Sequence, residues 1–250
     1  MFTPKTERIE KIAGLKQNRI IELEQLLDKP VNVYIDFANV LHWQDRLQWN
    51  VDVKRLKQFL DSFDTVKKIA IYCGTLIGDI KSEDSIREFK QDGLIVKTKP
   101  VKIMYHSIDV SSISRESPEI LKQFIKPQLL GELNIDNIKY LNAVLSNINR
   151  LGKLSVEAKK CNFDVEIGID MLMDYNDQNA EIFVLWSGDS DFYDPLKKLL
   201  SEGKKVILFA TSGKVSKELN ELKSDGLIVF DIQKIKEFIC WKKQIKINGV

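Results

Sequence analysis

Apolar residues along the chain fall into short β-branched runs separated by stretches of helical spacing. The run VNVYIDF, with Val31, Val33 and Ile35, predicts a buried strand that ends in polar residues and delivers Asp36. After it come a helix near Val53 to Phe63, a strand KKIAIYC, a helix near Ser82 to Gln91, and a strand GLIVKTKPV interrupted by Pro100. A second block begins after Ala180: strand EIFVLW, a helix near Tyr193 to Ser201, strand KKVILFA, a helix near Lys214 to Leu222, and strand GLIVF. Strands alternating with helices predict an α/β fold, a three-layer sandwich whose central, mostly parallel sheet carries helices on both faces.

The remaining segments depart from this rhythm. Ile9, Ile12, Leu15, Ile20, Leu23 and Leu27 recur at near-helical spacing, and Asp28-Lys29-Pro30 ends the pattern, so residues 1–29 read as an N-terminal amphipathic helix. The main domain then covers 30–232. Within it, residues 107–158 are Ser- and Asn-rich, helix-prone in pieces and longer than an ordinary connection, which predicts a helical insertion. Residues 233–250 read as a basic C-terminal helix or tail. Uncovered amphipathic surfaces tend to find a partner, so a homodimer through the N-terminal helix or the insertion is expected.

Composition narrows the chemistry. A chain of 250 residues that is 44% hydrophobic can bury a large core without covalent staples. Cys73, Cys161 and Cys240 are far apart and form no CxxC pattern, which excludes a disulfide framework and fits a cytoplasmic location. The N-terminus is charged where a signal peptide is apolar, and no stretch approaches the roughly 20 apolar residues of a membrane span, so no membrane partner is expected. Thirty-eight basic and 36 acidic residues leave a net charge of +2, which makes no global case for a polyanionic partner. His42 and His106 are the two histidines, too few to favour His-based metal sites, and carboxylates become the leading chemical groups.

Three acidic constellations stand out. In Ser187-Gly188-Asp189-Ser190-Asp191-Phe192 an apolar strand runs into a small-residue turn with two carboxylates. At the carboxyl edge of a parallel sheet this places Asp189 and Asp191 where ligands bind, and two anions so close favour a hard divalent cation. The alternative is that Asp191 caps the following helix and Asp189 satisfies turn amides. Asp36 closes a second strand at the same predicted rim, with Asn39 three residues on. Third, Lys160 to Met171 carries Asp164, Glu166 and Asp170 in an apolar helix-like run. Glu166 and Asp170 share a helical face, while Asp164 points elsewhere. Asp164 either leans over the rim or serves as an N-terminal helix acid, and Asp170 either supports the site or pairs with a lysine.

IDFANV, KKCNFDVEIGIDM and WSGDSDF, in this order, resemble the hallmark motifs of the NYN domain family, the LabA-like branch of the PIN-like nucleases. The matching positions are Asp36 and Asn39; Lys160, Asp164 and Asp170; then Ser187, Gly188, Asp189, Ser190, Asp191 and Phe192. Asn162 stands where the family often has Gly, and the insertion is longer than usual. The resemblance implies a PIN-like, Rossmann-like sheet and a metal-dependent ribonuclease. It makes Asp36, Asp164, Asp189 and Asp191 the catalytic ligands of Mg²⁺ or Mn²⁺, with Asp36 and Asp189 central. Asn39, Asp170 and Ser187 support them, and Lys160 reaches the substrate phosphate. Asp170 could also replace Asp164 as a direct ligand. His42 and Trp43, close after Asn39, are candidates to meet the RNA. So are Lys242 and Lys243, in a tail where Lys234, Phe238 and Trp241 form either a phosphate-gripping, base-stacking surface or a solvated amphipathic helix. A haloacid-dehalogenase phosphatase would need a second Asp two residues after Asp36, and that position is Ala38. The other reading to weigh is a metal-binding but non-catalytic RNA-binding or scaffolding module.

Overall fold

The structure, a computed structural model, describes residues 1–242 except Gln48, Ile77 and Ser212; the side chains of His42, Asp45, Arg46, Leu47, Trp49, Lys81 and Lys242 are not described. The chain divides into two compact units, one formed by Met1–Pro100 with Asn162–Val250 and the other by Val101–Cys161.

In the first unit the predicted N-terminal helix is two helices, α1 (Glu7–Leu15) and α2 (Gln17–Leu26), broken where Lys16 leaves helical geometry at φ −126° and ψ 35°. Thr6 caps α1 by accepting a hydrogen bond from Ile9 N at 3.2 Å. Ile9, Ile20, Leu23 and Leu27 are buried within the chain. Arg8 donates to the carbonyls of Glu237 and Phe238, and Lys234 pairs with Glu22 at 2.6 Å. Ile9, Ile20, Leu23 and Leu27 of the stripe are thus covered by their own chain, while Leu15 is exposed.

Elements then follow in the order β1 (Val31–Asp36), α3 (Phe37–Leu47), β2 (Trp49–Val51), α4 (Val53–Leu60), β3 (Val66–Thr75), α5 (Ile80–Gln91) and β4 (Ile95–Pro100). Pro100 is the last residue of β4, still in register with Thr75, and the predicted strand GLIVKTKPV ends there; proline cannot donate to a ladder. The chain passes through the second unit, built of β5 (Lys102–Ser107), α6 (Pro127–Gly131), α7 (Ile135–Arg150) and β6 (Ser155–Lys160). There β5 and β6 pair as an antiparallel ribbon in addition to the expected helices, and Asn134 with Asn137 forms a reciprocal cap at the start of α7.

The first unit resumes with α8 (Asp164–Asn176), β7 (Ile182–Trp186), α9 (Tyr193–Ser201), β8 (Lys205–Ala210), α10 (Lys217–Glu221), β9 (Ile228–Asp231), α11 (Lys236–Ile239) and β10 (Cys240–Lys242). Six strands form one sheet in the order β4-β3-β1-β7-β8-β9, every neighbouring pair parallel. The pleat sends alternate residues to opposite faces. One face is aromatic: Trp43 of α3 lies 5.8 Å from Trp186, Trp186 lies 5.1 Å from Phe209, and Phe209 lies 4.9 Å from Phe230. The other face carries Asn32, Tyr34 and Asp36 of β1, and α8 meets it. Phe238 is fully buried 4.5 Å from Phe59, so the C-terminal segment uses that ring for the core and not for stacking a base.

Candidate functional site

Parallel strands end on one rim, so the carboxyl ends of β1 and β7, which are sheet neighbours, bring their terminal residues together. Asp36 is the last residue of β1 and only 6% exposed. Its carboxylate accepts a hydrogen bond from Asn39 Nδ2 and a longer one, 3.4 Å, from Asn39 N at the first turn of α3. Burial raises the Asp36 pKa above the usual carboxylate range, the Asn39 and Ala38 donors pull the other way, and the charge of Asp189 adds to the rise.

Beyond β7 the chain turns sharply through Ser187–Asp191. Ser187 is fully buried, and its Oγ accepts from Asp189 N at 3.3 Å. Gly188 is required here for space: a Cβ would sit 2.1 Å from the Lys214 carbonyl oxygen, and the Gly188 carbonyl accepts from Ser216 N at 2.9 Å. Asp189 accepts from Asp191 N at 3.3 Å, so it does satisfy a turn amide. Asp191 does not cap α9, whose N-cap is Phe192 without a side-chain bond. Its exposed carboxylate has no structural employment in that helix.

The third group comes from α8, which begins at Asp164. Asn162 Oδ1 accepts from Asp164 N at 2.9 Å. One carboxylate oxygen each from Asp164, Asp189 and Asp191 lie within 4.8 Å of one another. Oδ2 of Asp164 is buried without a hydrogen-bond partner, an arrangement that a protein otherwise avoids. Burial pushes the Asp164 pKa up to about 6; the Asn162 side chain opposes the shift, and the charges of Asp189, Asp36 and Asp191 reinforce it. Asp36 therefore faces the trio electrostatically while standing outside its 4.8 Å circle. An octahedral Mg²⁺ with oxygens at about 2.1 Å holds opposite ligands about 4.2 Å apart. The observed spacing is within a small side-chain adjustment of that value, and the all-oxygen donor set suits a hard cation.

A family model described as the NYN domain matches residues 30–229. The chain belongs to the NYN domain family. That is a family of PIN-like nucleases, typically dependent on divalent metal, and the matched span contains every aspartate of the cluster. The structure is also similar to the crystal structure of a protein of unknown function from Vibrio parahaemolyticus RIMD 2210633, with a TM-score of 0.51 and 15% identity over 85% of this chain and 96% of that one. At that identity the likeness speaks for the fold alone. No curated protein matches the chain.

Other residues singled out from the sequence of this NYN domain fall elsewhere. Asp170 does not join the trio: it pairs with Lys97 at 2.7 Å and accepts a hydrogen bond from the Tyr72 hydroxyl. The lysine pairing weighed from the sequence is present, because α8 turns Asp170 toward the sheet. Trp43 is only 1% exposed and packs on Trp186, which places it in the core. Lys160 ends β6 in the second unit, opposite Lys102. The His42 and Lys242 side chains and all of Lys243 lie outside the described residues.

Sequence reading missed the polar layer beneath α8. Glu166, Asp170 and Asp174 recur every fourth residue and meet Lys99 at 2.6 Å, Lys97 at 2.7 Å and Lys68 at 2.6 Å. Asp174 also accepts from Asn32 Nδ2 at 3.1 Å and from the Tyr34 hydroxyl. Burial raises the Asp174 pKa, but the hydrogen bonds from Lys68, Tyr34 and Asn32 win, and its net shift is downward. The signal was present as a period of four in α8 and a period of two in β1 and β4.

Proposed function

We propose that the chain is a metal-dependent ribonuclease that hydrolyses RNA phosphodiester bonds at the aspartate cluster. The observation that carries this reading is the convergence of Asp164, Asp189 and Asp191 oxygens within 4.8 Å around a buried, unpartnered Oδ2. Asp189, fixed by the Ser187 and Asp191 amide contacts, would hold Mg²⁺ or Mn²⁺ together with Asp164 and Asp191. Asp36 would complete the shell, its carboxylate kept in place by Asn39. When bound, the metal supplies positive charge that polarises the scissile phosphate and lowers the pKa of an attacking water.

The chain's own residues do the rest. The rigid strand ends set where the phosphate and the water meet. Asp164, with a pKa near 6, exchanges its proton close to neutrality, so metal occupancy and protonation compete at one carboxylate. Lys160 is assigned to the substrate phosphate on the strength of the family motif, and Ser187 and Asn39 act as positioning residues.

Cleavage of a labelled single-stranded and a hairpin RNA, followed with Mn²⁺, Mg²⁺ or EDTA, tests the reading. Cleavage should require metal and fall at least about 100-fold in Asp189→Asn and in Asp36→Asn, with circular dichroism unchanged. RNA bound tightly with no metal-stimulated cleavage would overturn the enzyme and leave a non-catalytic RNA-binding module.

A further inference from the structure

The ribbon of the second unit has a composition that its own folding does not explain. Among the described residues β5 and β6 pair only with each other, and an isolated two-stranded ribbon is marginal in water. Its register sets Lys102 directly opposite Lys160, a like-charge pairing that destabilises an antiparallel sheet. Lys159 stands opposite Ile103, and Tyr105 opposite Glu157. Tyr105 is 65% exposed, and Ile103 and Met104 are exposed at 42% and 44%.

The three lysines differ from those of the first unit. Lys68, Lys97 and Lys99 are each paired with a carboxylate of α8, whereas Lys102, Lys159 and Lys160 meet no carboxylate within 4 Å among the described residues. Glu157 is the one acid on either strand. Alternation along the strands gives two faces. Lys102, Met104 and His106 share one with Lys160, Ala158 and Val156; Ile103, Tyr105 and Ser107 share the other with Lys159, Glu157 and Ser155. The first is partly covered, since His106 packs 6.2 Å from Phe124. The second presents an open aromatic ring with Glu157 directly across from it and Lys159 diagonally across, opposite Ile103.

We infer that the β5/β6 ribbon binds single-stranded RNA, with Tyr105 stacking a base and Lys159 meeting phosphate on the open face, while Lys102 and Lys160, paired at the end of the ribbon on its other face, hold the strand's phosphates as it passes that end. A phosphate bridging Lys102 and Lys160 turns their repulsion into attraction, and an exposed ring with a lysine on the same face is a recurring device for gripping single strands. An apolar protein partner would bury Ile103, Met104 and Tyr105 but would gain nothing from opposed lysines. The inference rests on RNA being the substrate. It adds a place to hold the strand within the second unit.

The test uses the full chain in EDTA, with fluorescence anisotropy of a labelled single-stranded RNA between 50 and 200 mM salt. The Lys102→Glu, Lys159→Glu double variant should bind at least about tenfold more weakly, and its log–log salt slope should fall by about 1.4, or about 0.7 for each lysine removed. Misfolding does not mimic this result, since Lys102→Glu sets an attractive pair against Lys160. Tyr105→Ala should lose about tenfold with the salt slope unchanged. Mn²⁺ binding, read by calorimetry, should persist in all variants. Unaltered RNA affinity and slope in the double variant would overturn the ribbon as the binding surface, even if the wild-type protein cleaves RNA. Wild-type protein that binds phosphatidylserine vesicles in place of RNA, or no RNA at all, would overturn it as well. Ribbon-dependent RNA binding without any metal-stimulated cleavage would uphold the ribbon and sink the nuclease reading alone.

Discussion

Asp164 illustrates how one residue can hold a site and cost the fold. Its carboxyl and that of Asp36 are both raised in pKa by burial, Asp164 to about 6. A carboxyl whose folded pKa exceeds its unfolded value, near 3.9, binds more protons when folded, so its contribution to stability diminishes as pH rises through that interval. Metal-free protein should therefore have a higher melting temperature at pH 5 than at pH 7. Asp174 and Glu166, lowered by their lysine contacts, act oppositely, their contribution being lost as pH falls through the ordinary carboxylate range of about 3.9 to 4.3 and below. The Asp164→Asn variant should lose most of the difference, and saturating Mn²⁺ should abolish it by occupying the deprotonated form, with affinity falling about tenfold per pH unit below 6. A melting temperature flat from pH 5 to 7 in metal-free protein would remove this account. The sequence showed Asp164 as either a helix acid or a ligand. The buried, unpartnered Oδ2, set where α8 packs beside the turn after β7, is what supports the second.

At the scale of elements, α8 is set in rotation by its ladder of acids. Glu166, Asp170 and Asp174 face Lys99, Lys97 and Lys68, which leaves Asp164 on a different face, at the rim. The rungs are unequal. Asp174 is 7% exposed and serves three donors, so Asp174→Ala strands Lys68, Tyr34 and Asn32 and should cost about 3 kcal/mol in urea denaturation. The half-exposed Glu166–Lys99 pair should cost less than about 1 kcal/mol in Glu166→Ala. Equal losses at both rungs would refute the ladder as drawn. A double variant Lys68→Met, Asp174→Leu should recover part of the deficit, because no charge is left buried alone. The spacing of Glu166 and Asp170 made their shared face legible; their partners on β3 and β4 were not, since strand order is a long-range property.

Across the whole molecule, the two units differ in what reports on them. All four tryptophans, Trp43, Trp49, Trp186 and Trp241, lie in the unit formed by 1–100 and 162–250, while α7, the longest helix among the described residues, lies in the other. Unfolding followed by tryptophan emission should therefore report the sheet unit alone, and ellipticity at 222 nm both. We expect the two urea curves not to coincide, the hallmark of more than one cooperative step. Coincident curves would mean that the units unfold together. No helix among the described residues is long and apolar enough to cross a membrane. The sequence by itself determined the alternating α/β order, the strand ends that carry Asp36 and Asp189, and the family, because local periodicity and short motifs are written in neighbouring residues. The tertiary structure decided the rest: that Trp43 is core, that Asp170 answers to Lys97, and that Asp164, Asp189 and Asp191 converge. Each depends on which strands and helices lie side by side, and close packing between distant segments is a contact that no local pattern encodes.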